Sequence, residues 1–277
     1  MASEVLGTPS VRFVEPAFSD IIDEQYNDAL LASNGSEGRL LIDENEDVIG
    51  LAFGEGATWD AGALHLRKAN RTLIERFEAT DGEIYEENRE IWAGAVNEYY
   101  NLDLIESQVP AIEDMNPDRV GMVEDLIAGF WGDLKDCTCL DCCCGSGVGS
   151  LVLQRRGITP LAYDNDPNLL ALGLTRGRLD PKRTMWIDAT MASRYTGNVP
   201  AGLGLMIGEI NAFNAPMWEQ IVWELVSLTD MALFSVGKEE EARLVQQWTS
   251  QRGRSVEVIE NQRDPIYDRW ICSVTRD

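Results

Sequence analysis

Positive charge, histidine and long apolar runs are what this chain has least of. Its 277 residues carry 23 Lys+Arg against 47 Asp+Glu, a formal net charge of −24, and only 4 of the 23 are lysines. Such a field repels phosphate backbones and weighs against a nucleic-acid substrate; it favours a cationic small molecule or a basic patch on a partner protein, or serves solubility in a salty cytoplasm. Apolar stretches such as "LGLMI" are strand-sized, so no membrane span is expected. "MASEVLGTPSVRFVEP" shows no basic segment followed by an apolar run, and a soluble, cytoplasmic protein is expected. His65 is the only histidine; a lone histidine in an amphipathic stretch reads as structural, and it is left out of the catalytic set.

What is present is uneven. Residues 1–136 hold 30 acids against 9 basic residues, and residues 137–277 hold 17 against 14, so the acidity belongs to the first half. In that half "GRLLIDENEDVIGLAFGEG" reads as two short strands, Leu40–Ile42 and Val48–Phe53, around an acidic turn. From Ala61 to about Ile105 the pattern turns helical, in "ALHLRKANRTLIERFEAT" and "EIYEENREIWAGAVNEYYNL". The expected organisation is an acidic, mainly helical cap or substrate region over 1–115 and a second domain over 116–277.

From Asn116 the chain alternates. Asn116 is expected as an N-cap with Pro117 at the first helical position. A strand at Thr138–Asp141, a glycine loop and a helix at Val148–Arg156 follow. Strands are then expected in "ITPLAYD", "TMWID", "GLGLMIGEI" and "MALFSVG", with helices between them, and a closing pair at Val256–Ile259 and Trp270–Val274. This order means an α/β sheet with helices on both faces, a Rossmann-like fold.

Five of the six cysteines lie in "CTCLDCCCGSGVGS", Cys137 to Ser150. Cys137, Cys139 and Cys142 approach a metal-ligand spacing. Strand and loop geometry send neighbouring thiols to opposite faces, so four ligands do not converge and no metal is expected. The thiols read instead as small, weakly polar packing beside a compact loop. A dinucleotide fingerprint would want Gly or Ala where Ser150 stands, and a P-loop would need a lysine that is missing.

"LDCCCGSGVGS" resembles motif I of the class I S-adenosylmethionine-dependent methyltransferases, an acid followed by small residues and glycines. The resemblance runs from about Asn116 to Asp277 and includes the closing strand pair. It implies Asp141 near the methionine end of the cofactor, with Gly145 and Gly147 admitting it to the backbone and Cys143 where the first glycine often falls. Asp164, with Asn165 beside it, ends the second strand, where a carboxylate accepts both ribose hydroxyls; Asp166 is the alternative. Asp188, beside Ile187 and Ala189, would receive the adenine amino group. Residues after the fourth strand usually face the methyl group, which nominates Glu209 to orient or deprotonate an acceptor and Asn211 to hydrogen-bond it. The Asn/Asp-Pro-Pro-aromatic motif of nucleobase amino methylation is missing. The first half would then be a lid, with Trp92, Tyr99 and Tyr100 as candidate pocket residues.

The implied activity is methyl transfer from S-adenosyl-L-methionine, leaving S-adenosyl-L-homocysteine, to a small molecule or a protein side chain. Two alternatives stand beside it: a non-catalytic cofactor-binding or scaffold protein whose acidic half docks a partner, and an aminopropyl-type transferase. The latter lacks its glycine-rich motif with an embedded acid.

Overall fold

The computed structural model describes residues 1–113 and 116–276. It divides into two compact units, Met1–Glu106 and Ser107–Asp277. The boundary expected between 115 and 116 touches residues 114 and 115, which lie outside the described residues.

The first unit contains α1 (Ala2–Val5), β1 (Arg12–Phe13), α2 (Gln25–Leu31), β2 (Glu37–Ile42), β3 (Val48–Glu55), β4 (Thr58–Ala63), α3 (Arg71–Glu78), β5 (Asp81–Glu86) and α4 (Arg89–Ser107). Its sheet has the order β1-β4-β3-β2-β5. The acidic turn between β2 and β3 holds because Asp43 Oδ1 accepts from the N–H groups of Asn45 and Asp47, each at 2.9 Å. Leu30, Leu40, Leu51, Phe53, Leu64, Leu73 and Phe77 form its core. The helical expectation is corrected at both ends here. Ala61–Ala63 finish a strand, and α3 starts only at Arg71, where Asn70 Oδ1 accepts from Leu73 N. Ile84 lies in β5, which pairs in parallel with β2, and α4 starts after it.

The second unit runs α5 (Arg119–Trp131), β6 (Thr138–Cys142), α6 (Val148–Arg155), β7 (Thr159–Asp164), α7 (Pro167–Thr175), β8 (Thr184–Trp186), β9 (Val199–Gly204), α8 (Ala215–Leu228), β10 (Thr229–Val236), α9 (Glu239–Ser250), β11 (Arg254–Glu260) and β12 (Trp270–Arg276). The sheet order is β11-β12-β10-β9-β6-β7-β8. Strands β10, β9, β6, β7 and β8 are parallel, and β12 enters antiparallel between β10 and β11. This is the Rossmann-like α/β architecture. Because β6 connects to β7 on one side and pairs with β9 on the other, the switch-point crevice opens at its carboxyl end.

One apolar layer joins Val123, Leu126 and Ile127 of α5 and Val152 and Leu153 of α6 to Cys139, Ala201, Leu203, Leu233 and Ile271 of the sheet. Cys139 is therefore core filling. Two boundaries differ from expectation. The first helix begins at Arg119 with Asp118 as its cap, while Asn116 Oδ1 accepts from Asp118 N at 3.0 Å one step earlier. β9 ends at Gly204 instead of continuing to Ile210. Its continuation turns at Met206 (φ 49°), and side chains take the backbone donors that a neighbouring strand would otherwise bond: Ser235 Oγ accepts from Met206 N and Glu241 Oε1 from Ile210 N.

Candidate cofactor site at the carboxyl edge of the sheet

The loop between β6 and α6 is built from left-handed residues. Cys143, Gly145 and Gly147 have φ of 53°, 53° and 82°. That conformation costs an L-residue roughly 1–2 kcal/mol, which explains the glycines and makes Cys143 the strained member. At Gly147 a Cβ would stand 2.7 Å from Leu179 Cδ2, so the position also forbids a side chain on packing grounds. At Gly145 the reverse holds: a Cβ would meet only Leu169 Cδ1 at 4.0 Å. The loop is open there, a cradle that a ligand can enter.

Asp164 organises this cradle. It ends β7, is 7% exposed, and accepts from Gly145 N with Oδ2 and from Asp166 N with Oδ1, each at 2.8 Å. Each oxygen keeps a lone pair for a further donor. Burial raises its pKa, and the backbone N–H groups of Asp166, Gly145 and Asn165 oppose that rise. Asp166, the alternative, is committed elsewhere: its Oδ1 caps α7 through Asn168 N and Leu169 N. Asn165 is exposed between them, its carbonyl accepting from Trp186 Nε1 at 3.2 Å.

Asp141 faces inward. It is 1% exposed and accepts from Ser150 Oγ at 2.6 Å, which ties the end of β6 to the first turn of α6. Burial pushes its pKa up to about 7, with Asp164 adding and Ser150 opposing. Its place in the fold is to hold the loop's two ends together. Asp188 follows β8, exposed, with Oδ1 accepting from Thr190 N and Thr190 Oγ1; Ala189 beside it is buried.

The acceptor-side candidates lie in the turn after β9. The Glu209 carboxylate is 86% exposed and 3.6 Å from Lys238 Nζ. Asn211 Oδ1 accepts from Phe213 N, and Asn214 Oδ1 accepts from Asn211 N. Ser235, Asp268 and Glu241 brace this turn, and none of them was singled out from sequence. Asp268 accepts from Ser235 Oγ and pairs with Arg119 at 3.0 Å. Their only sequence signal was two acids in and around a helix start and a hairpin turn.

All six cysteines are free thiols, and Cys142 and Cys143 Sγ lie 3.8 Å apart. Among the described residues, no group of three or more His, Cys, Asp or Glu side chains converges in a metal-binding arrangement. In the first unit Trp92 and Tyr100 are core residues that donate to the carbonyls of Ile49 and Glu15, and Tyr99 packs edge-on against Phe13. His65 is buried and its pKa is lowered to about 3, by burial first and then by Arg89 and Arg67. Among the described residues, no helix is long and apolar enough to cross a membrane.

No protein-family model matches the chain, and no curated protein matches it. Solved structures similar to it include magnesium protoporphyrin IX methyltransferase from Synechocystis with bound SAM (TM-score 0.44, 15% identity, 67% of this chain and 97% of that one). Others are precorrin-6y C5,15-methyltransferase from Geobacter metallireducens (0.45, 11%, 62% and 95%) and ribosomal protein L11 methylase from Lactobacillus delbrueckii (0.44, 13%, 71% and 87%).

Proposed function

We propose that the protein is an S-adenosylmethionine-dependent methyltransferase acting on a small molecule or a protein side chain. The observation that carries this reading is the cradle itself. A left-handed loop, open at Gly145, sits at the switch point with its N–H bonded to Asp164 at the end of the next strand, and another acid, Asp188, follows the strand after that. Open backbone at the first strand and carboxylates at the next two suit a ligand with an amino-acid end, a ribose and an amino-bearing base.

In this reading Cys143, Gly145 and Gly147 offer backbone to the methionine end, and Asp141 keeps the loop closed on α6. Asp164 accepts from the ribose hydroxyls with its remaining lone pairs. Asp188, with Ala189, holds the adenine edge. When bound, the sulfonium supplies a methyl carbon already activated for in-line displacement, so the protein's work is positioning and exclusion of water. Glu209 orients a polar or cationic acceptor from a solvent-facing position, and Asn211 donates from its amide nitrogen. The excess of acid supports an uncharged or cationic acceptor over nucleic acid.

A second reading is favoured by the exposure of Glu209 and Asn211: cofactor binding without transfer. Calorimetry with S-adenosylhomocysteine, followed by labelled donor with cell extract, separates the two. Asp164→Ala is expected to weaken binding by about 1–3 kcal/mol, about 5- to 150-fold. Unchanged affinity removes the ribose role. Absence of binding to the intact protein removes the whole reading, and tight binding without labelled product favours the second.

A further inference from the structure

At the opposite, amino-terminal edge of the same sheet, arginines converge in a protein whose charge is otherwise strongly negative. Arg254 opens β11 and Arg276 closes β12, and the two stand directly opposite each other in the antiparallel ladder. Like charges in that register repel and cost stability unless something else compensates them. Arg252, two residues before Arg254, adds a third guanidinium. Together with Trp223, Val226 and Ser227 of α8 they line a cavity of about 300 Å³.

The compensation visible in the fold is incomplete. Arg254 is 9% exposed, and its guanidinium donates to the carbonyls of Val226 at the end of α8 and of Thr229 and Asp230 at the start of β10, which are dipoles and not charges. Arg252 lies 3.9 Å over the Trp223 ring, an attraction that leaves its donors available. Arg276 pairs with Asp230 at 2.8 Å, with both side chains more than half exposed, where such a pair is worth little. Among the described residues, Asp230 is the acid bonded to this group, so three guanidinium charges face one carboxylate. Burial and Arg276 both lower the Arg254 pKa, as expected of a cation held against another.

We propose that this cavity is a binding site for a phosphate dianion, free or carried as a monoester, remote from the cofactor cradle and independent of the methyltransferase reading. Guanidinium groups at the mouth of a small cavity supply the paired donors that a phosphate oxygen set accepts, and the dianion cancels the cross-strand repulsion.

The test is titration of the full chain with inorganic phosphate and, in a second arm, with phenyl phosphate, at constant ionic strength against sodium chloride. Heat and tryptophan emission are both followed. Saturable binding is expected, with Arg252→Ala and Arg276→Ala each weakening it about tenfold and the double variant abolishing it. Both side chains are exposed, so circular dichroism should match wild type in each variant. Phosphate should raise the melting temperature of the wild type and not that of the double variant. Tighter phenyl phosphate binding identifies a monoester site, and equal or weaker binding identifies the free ion. A response no different from chloride, or identical affinities in wild type and both single variants, overturns the proposal.

Discussion

Replacing Gly147 by alanine tests whether the cradle is as tightly determined as its geometry implies. Two costs arise at once. The residue sits at φ 82°, which an L side chain adopts at roughly 1–2 kcal/mol. The new Cβ would stand 2.7 Å from both Cγ and Cδ2 of Leu179, a side chain 2% exposed, and overpacking of that kind costs about 1–3 kcal/mol. Against these, alanine loses less freedom on folding, worth about 0.4–1 kcal/mol. The net expectation is a loss of about 1–4.6 kcal/mol. Leu179→Ala alone should cost about 2–5 kcal/mol through the cavity it leaves. In the double variant the clash with Leu179 is relieved, while the backbone term and a 3.3 Å approach to Arg178 Cβ remain, so its loss should fall short of the sum by up to about 1–3 kcal/mol. Two units that unfold separately would blur a global transition, so residue-resolved amide exchange of β6 and β7 is the proper assay. Additivity within about 0.5 kcal/mol would refute the contact, because independent sites behave that way.

Other expectations bear on the same edge of the sheet. Cys143→Gly should raise stability by up to about 1 kcal/mol, since relief of the left-handed strain exceeds glycine's entropic cost; a loss in amide exchange of β6 and β7 would mean the thiol's packing matters more. Asp141, ordinarily near 3.8 and here about 7, keeps its proton in the folded chain where the unfolded chain has released it. Its contribution is therefore complete below about pH 4 and is lost as pH rises to about 7, with a slope of at most ~1.4 kcal/mol per unit. Asp141→Asn should flatten that slope relative to wild type, and parallel curves would contradict the assignment. Glu241→Ala should speed exchange at Ile210 and Lys238, whose N–H groups its buried carboxylate accepts, without changing cofactor affinity; unaltered exchange there would show that the turn is held by other means.

The second unit was legible because its signals are local. Glycine at left-handed positions and acids at or just past three strand ends each report a backbone requirement that sequence states directly, whereas Asp166, the alternative ribose acid, proves to cap α7. The first unit was less so. β5, "DGEIYE", is an edge strand exposed along nearly its whole length, so it has no buried face and no alternation to read. β4, "TWDAGA", hides its period behind Gly and Ala, which pack without looking apolar. Both were absorbed into neighbouring helical patterns because Ile84 and Leu64 happen to fall in step with them.

Side-chain direction is the information that a strand-end acid does not carry. Asp141, Asp164 and Asp188 look equivalent along the chain, yet one is turned into the fold toward Ser150, one is half committed to the loop, and one lies in solvent beside Thr190. The difference follows from the hydroxyl or amide that each meets one element later. Ser150, which departs from a dinucleotide fingerprint, donates to Asp141: remove its hydroxyl and a buried carboxylate loses the donor that opposes its desolvation. The same residue thus departs from one ligand's fingerprint and ties the loop to α6 by its chemistry. That coupling explains why the glycine spacing alone said little, and why the acids around it said more.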